Sequence, residues 1–62
     1  MSMRLLIVDD NDVMRENIIS FVNRQPDIEV IGEAKDGETA VELSGKLSPD
    51  VVLMDICMPK LN

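Results

Sequence analysis

Three aspartates stand where carboxylates can do chemistry. Leu5-Leu6-Ile7-Val8 runs straight into Asp9-Asp10, and Val51-Val52-Leu53-Met54 runs into Asp55, followed by Ile56-Cys57-Met58-Pro59. A short apolar run that stops abruptly in acids reads as a buried strand whose tip reaches solvent. In open parallel sheets, ligands and chemistry gather at the carboxyl ends of the strands. Three carboxylates brought together there could hold a divalent cation, and one of them could serve as a nucleophile. All of this depends on the two strand ends lying side by side.

The elements that must bring them together are legible. Residues 4–9 read as a strand. Asn11 or Asp12 can cap a helix in which Met14, Ile18, Phe21 and Val22 recur on one face. Pro26-Asp27 breaks that helix. Residues 28–34 read as a second strand, with Ile28, Val30 and Ile31 apolar and Glu29 and Glu33 outward. Asp36 caps a second helix carrying Ala40, Val41, Leu43 and Leu47. Gly45 inside it weakens it by about 1 kcal/mol relative to Ala. Ser48-Pro49 ends it, and residues 51–56 form a third strand, apolar on both faces as in the interior of a parallel sheet.

Alternation of strands and helices predicts an α/β unit, βαβαβ, with a parallel sheet and right-handed crossovers. The second strand carries Glu29 and Glu33 and suits an edge, so the expected strand order is 2-1-3, with the two helices on opposite faces. The chain reverses direction between strands one and three. Asp9, Asp10 and Asp55 would meet at that switch point.

Bulk properties narrow the function. Sixty-two residues make one small domain, which buries only about 60% of its unfolded surface. Twelve acids against six bases give a net charge of −6, which disfavours nucleic-acid and anionic-membrane surfaces. No apolar stretch approaches the length of a membrane span. Met1-Ser2-Met3-Arg4 leads directly into Leu5, without the pattern of a signal peptide. The single Cys57 cannot form an intrachain disulfide and fits a reducing cytoplasm.

The segments LLIVDD (5–10), NDVMRE (11–16), PDIEVIGEAKDGETAVEL (26–43), PDVVLMDICMP (49–59) and the closing KLN resemble the receiver domain of two-component response regulators. PDIEVIGEA resembles the receivers of helix-turn-helix transcriptional regulators. The resemblance implies the N-terminal half of a flavodoxin-like receiver fold, a truncated unit over 1–62 with no output domain. It also implies that Asp55 accepts a phosphoryl group from a histidine kinase or a small phosphodonor. By the same resemblance Asp10 ligates Mg²⁺ (or Mn²⁺) directly, Asp9 acts through water, and the backbone carbonyl of Cys57 completes the protein ligands. The chain would be a phosphoacceptor and not an enzyme. Receivers continue into a Thr or Ser and a Lys that grip the phosphoryl group, so the expected transfer is impaired.

Other readings compete for the same residues. Asp9-Asp10 could be an ordinary strand-to-helix turn. The acidic run 9–12 lacks the Gly and terminal Glu of a calcium loop. Asp36-Gly37 reads as a helix cap. Met14, Met54 and Met58 read as packing residues, and Cys57 as a bystander that contributes its backbone. A haloacid-dehalogenase-like phosphatase wants an acid where Cys57 stands. A flavodoxin wants Ser, Thr and Gly where Asp9-Asp10-Asn11-Asp12 would repel phosphate. The alternative function is a truncated or engineered fragment that acts only as a self-associating unit. The apolar third strand predicts a homodimer formed through its open edge.

Overall fold

The computed structural model describes residues 2–54. Its elements run β1 (Met3–Val8), α1 (Asp12–Val22), β2 (Ile28–Ala34), α2 (Gly37–Leu47) and β3 (Val51–Met54). The expected strand end at 55–56, and with it Asp55 and Cys57, lies outside the described residues. The sheet is parallel throughout and ordered β2-β1-β3, as the charge of the second strand predicts. The first strand begins one residue earlier than expected, where Met3 N–H donates to the Asp27 carbonyl at 2.7 Å, and it ends at Val8, just before Asp9.

β1 is the spine of the fold. Leu6 and Ile7 have no exposed surface, and Val8 almost none. Successive side chains of a strand point to opposite faces, so β1 serves two cores. Leu6 and Val8 pack with Ala34, Ala40 and Leu43 under α2, while Leu5 and Ile7 pack with Val22, Ile18, Ile19, Ile28 and Val30 under α1. The helices therefore cover opposite faces, as expected.

β2 changes faces partway along. It pairs Leu5 with Val30 but Leu6 with Gly32, so Ile31 is an extra residue and the strand bulges. Ile28 and Val30 thus serve the α1 side, and Gly32 and Ala34 the α2 side. The small residues let α2 lie close. A Cβ at Gly32 would stand 2.9 Å from Leu47 Cδ1 and 3.3 Å from Leu6 Cδ1.

The helix ends follow local chemistry. Asn11, not Asp12, caps α1, its Oδ1 accepting from Met14 N–H at 3.1 Å. Asp36 caps α2 by accepting from Thr39 N–H at 2.8 Å. α2 stops at Ser48, which takes the left-handed conformation (φ 49°) usual at a helix C-terminus. Arg4 and Asp50 then set the register of β3. Arg4 N–H donates to Asp50 Oδ2 and Asp50 N–H donates to the Arg4 carbonyl, both at 2.8 Å.

Three residues expected in the core are exposed: Phe21, Met14 and Val41. Val22 is the residue of α1 that turns fully inward, with Ile18 and Ile19 half-buried beside it. The seam of α1 lies over β1 and β2, so Met14 and Phe21 fall on its flank. Val41 sits on the outer flank of α2.

Gly45 has open space around it and is exposed in the interior of α2. Gly45→Ala is expected to raise the unfolding free energy by about 1 kcal/mol, read as a higher urea midpoint at unchanged slope. A lower midpoint would show that the glycine serves packing.

Candidate metal centre

The carboxyl end of β1 is built to hold one acid and present the next. Asp9 is 3% exposed, a buried carboxylate at the edge of the core, and all of its backbone is engaged. Its N–H donates to the Ala34 carbonyl at 3.0 Å, extending the β1–β2 ladder beyond the strand. Its side-chain Oδ1 accepts from Asn11 N–H at 2.9 Å, which turns the chain sharply toward α1. Its carbonyl accepts from Arg15 Nη1 at 2.8 Å. Asp10 follows on the exposed surface.

A turn-forming role for Asp9 and a capping role for Asn11 are thus both realised, and they leave Asp10 without a structural task among the hydrogen bonds of the described residues. The turn reading accounts for Asp9 and does not account for Asp10.

β3 reaches the same end of the sheet. It pairs with β1 in continuous register, Leu5 with Val51 through Val8 with Met54. Val8 immediately precedes Asp9, and Met54 immediately precedes Asp55, in the chain. Of the expected ligands, Asp9 and Asp10 are brought together, whereas Asp55 and the Cys57 carbonyl lie outside the described residues. Among the described residues no group of three or more His, Cys, Asp or Glu side chains could hold a metal ion.

Beside Asp9 a cleft of about 270 Å³ runs between α1 and β3, lined by Val8, Asp9, Met14, Ile18, Leu53 and Met54. Its walls are mostly apolar. Low-polarity surroundings strengthen the attraction between a carboxylate and a cation relative to water.

Sequence reasoning passed over Arg15. Its guanidinium donates from Nε to Glu33 Oε1 at 2.8 Å, from Nη2 to Asp12 Oδ1 at 2.6 Å, and from Nη1 to the Asp9 carbonyl. The Glu33 carboxylate, and after it Asp12, push the Arg15 pKa above its ordinary value. A guanidinium carries its charge in a folded protein with or without such partners. Asp12 and Arg15 stand three apart on α1, a spacing that signals a helix pair. Nothing in the sequence announces that Glu33, eighteen residues on, joins them.

Comparison with known proteins agrees with this geometry. The response regulator receiver domain family matches residues 5–62. The chain is 53% identical over 55 residues to the transcriptional regulatory protein LiaR of Bacillus subtilis, covering 89% of this chain and 26% of that protein. It is 51% identical over 59 residues to a protein-glutamate methylesterase/protein-glutamine glutaminase of Thermotoga maritima, covering 95% of this chain and 17% of the relative. The crystal structure of the response regulator domain of Thermotoga maritima CheB superposes with a TM-score of 0.92 at 48% identity, over 100% of this chain and 46% of that one. The chain thus spans about a quarter or less of these curated relatives, and just under half of the solved receiver. With the family match covering nearly the whole sequence and the strand order, helix placement and acidic strand end in agreement, the chain belongs to the response regulator receiver domain family.

Proposed function

We propose that this chain, as one βαβαβ unit over residues 1–62, is the phosphoacceptor part of a two-component response regulator. In this reading Asp55 is the acceptor, and Asp9, Asp10, Asp55 and the Cys57 carbonyl hold Mg²⁺, or Mn²⁺ in its place. The observation that supports it best is the parallel pairing of Val8 with Met54, the residues just before Asp9 and Asp55. The donor set also fits: carboxylates and a carbonyl are hard oxygen ligands, suited to Mg²⁺ and Mn²⁺.

The chemistry follows from the residues. A carboxylate oxygen of Asp55 attacks the phosphorus of a phosphohistidine. The P–N bond breaks as the P–O bond forms, and the kinase imidazole leaves with the electron pair. Mg²⁺, when bound, neutralises charge on the transferring phosphoryl oxygens. Buried Asp9 keeps the turn in shape, and exposed Asp10 is open to solvent and ions. The chain acts as an acceptor of phosphate and not as an enzyme. Its partners are a histidine kinase or a small phosphodonor. Similarity to the receiver part of a transcriptional regulatory protein supports a transcriptional output for the whole protein. No helix among the described residues is long and apolar enough to cross a membrane, and the place of action proposed is the cytoplasm. The net charge of −6 supports a segment that does not itself bind nucleic acid.

One observation favours a second property, self-association: all four residues of β3 are exposed. A second copy of this chain is the proposed occupant of that edge.

Titration with Mn²⁺ tests the metal reading. Asp10→Asn and Asp55→Asn are each expected to weaken binding by about an order of magnitude, since a hard cation bound by few carboxylates loses much of its affinity with any one of them. Asp36→Asn, at the cap of α2, is expected to bind as the wild type does. Equal loss in all three variants would mean that the ion senses only bulk charge.

A further inference from the structure

We propose that Arg15 is a positioning residue for the acidic pair, tying the peptide between Asp9 and Asp10 to both α1 and β2. The inference rests on the reading that Asp9 and Asp10 serve a divalent cation.

Arg15 spends its guanidinium on three different parts of the fold. Nη1 donates to the Asp9 carbonyl at the exit of β1, Nη2 to Asp12 at the start of α1, and Nε to Glu33 near the end of β2. Its side chain is 13% exposed, whereas its two carboxylate partners are largely open to solvent. Exposed ion pairs contribute little to stability. A mostly covered guanidinium with three separate acceptors is better explained by what it holds in place.

What it holds is the start of the metal site. The Asp9 carbonyl and the Asp10 amide share one planar peptide unit. Asp9 N–H is fixed by Ala34 and its carboxylate by the Asn11 amide, which leaves that peptide plane as the remaining freedom at the turn. The bond from Arg15 to the carbonyl removes it. The direction in which Asp10 leaves the chain is thereby set by Arg15, and through Arg15 by Glu33 and Asp12. A planar fork can span three acceptors in this way. The ammonium of lysine is a point charge on a flexible stem and does not reproduce the geometry.

Electrostatics alone predicts the opposite behaviour. Arg15 is a cation close to a cation site. If only its charge mattered, removing it would tighten Mn²⁺ binding, and Arg15→Lys would bind as the wild type does. If Arg15 positions the pair, Arg15→Lys and Arg15→Gln both bind Mn²⁺ about tenfold more weakly, as when a group that orients a ligand is lost.

The experiment is Mn²⁺ titration of the 62-residue chain and both variants, with thermal unfolding and amide hydrogen exchange on the same samples. Expected are weaker binding in both variants, thermal midpoints close to wild type, and faster exchange at the Asn11 amide. Wild-type affinity in Arg15→Lys, tighter binding in Arg15→Gln, or unchanged exchange at Asn11 in a folded variant overturns the positioning role alone. Should Arg15→Gln fail to fold, Arg15→Lys still decides through its affinity and its Asn11 exchange. A wild-type chain that binds no Mn²⁺ overturns the metal reading and this inference with it.

Discussion

At micromolar concentration the 62-residue polypeptide is expected to sediment as a dimer, and Val52→Lys to return it to a monomer. Val51, Val52, Leu53 and Met54 are 42%, 38%, 44% and 37% exposed, although the sequence of β3 is that of a buried strand. The pairing of β3 with β1 shows why. One edge of β3 is bonded to β1, and among the described residues the other edge has no strand beside it. Val51 and Leu53 share a face with Leu5 and Ile7, next to the exposed Met14 on α1, so apolar surface continues from the strand onto the helix. An open, apolar strand edge invites pairing with another chain. A two-fold axis would let two copies of β3 pair antiparallel and cover each other's faces with one self-complementary contact. A lysine at 52 places charge on that edge, the device by which natural sheets block such pairing. Sedimentation velocity on both proteins reads the result. A monomeric wild type with a cooperative thermal transition would show that the edge is tolerated in water and would remove the second copy as its occupant.

How much of this could be read from the sequence depended on what each residue had to satisfy. Leu6, Ile7 and Val8 are buried from both sides, and a run of apolar residues with no polar alternation says so directly. Glu29 and Glu33 placed β2 at an edge, which fixed the strand order. The faces of the helices were less legible. Phe21 and Val22 are neighbours and both apolar, yet only Val22 turns inward, because the position of α1 over β1 and β2 is set by the tertiary fold and not by helical spacing. The bulge at Ile31 was also missed. Its signal was present in Val30-Ile31-Gly32, two consecutive apolar residues followed by a glycine within a strand. At the candidate site, Asp9 and Asp10 announced themselves as acids at a strand end. Arg15 did not, since an arginine on a helix ordinarily points to solvent and its link to Glu33 exists only once β2 lies beside β1.

The remaining large effect is expected at Asp55. After incubation with acetyl phosphate and Mg²⁺, the 62-residue polypeptide should carry an acyl phosphate at Asp55, but much less of it than the Thermotoga maritima CheB receiver treated alongside. Asp55→Asn should carry none. A phosphoryl group brings a charge of roughly −1.5 to −2. It would arrive at a strand end that already holds the buried Asp9 and the exposed Asp10. Charge that develops in phosphoryl transfer must meet preorganised donors or cations. Arg15, close by, has each of its three guanidinium nitrogens bonded, to Glu33, Asp12 and the Asp9 carbonyl, and turning it toward a phosphate would release the turn that carries the acids. Among the described residues near this end, Lys35 is the other base, and it lies with Arg15 and Glu33 along a separate cleft of about 250 Å³ at the end of β2. Compensation therefore falls mainly on the divalent ion, which slows transfer. Intact mass spectrometry reads the addition of one phosphoryl group. Near-complete addition that disappears in Asp55→Asn would show that these residues and Mg²⁺ suffice for efficient transfer. Addition that persists in Asp55→Asn would move the acceptor to another carboxylate, with Asp10 the first to be tested.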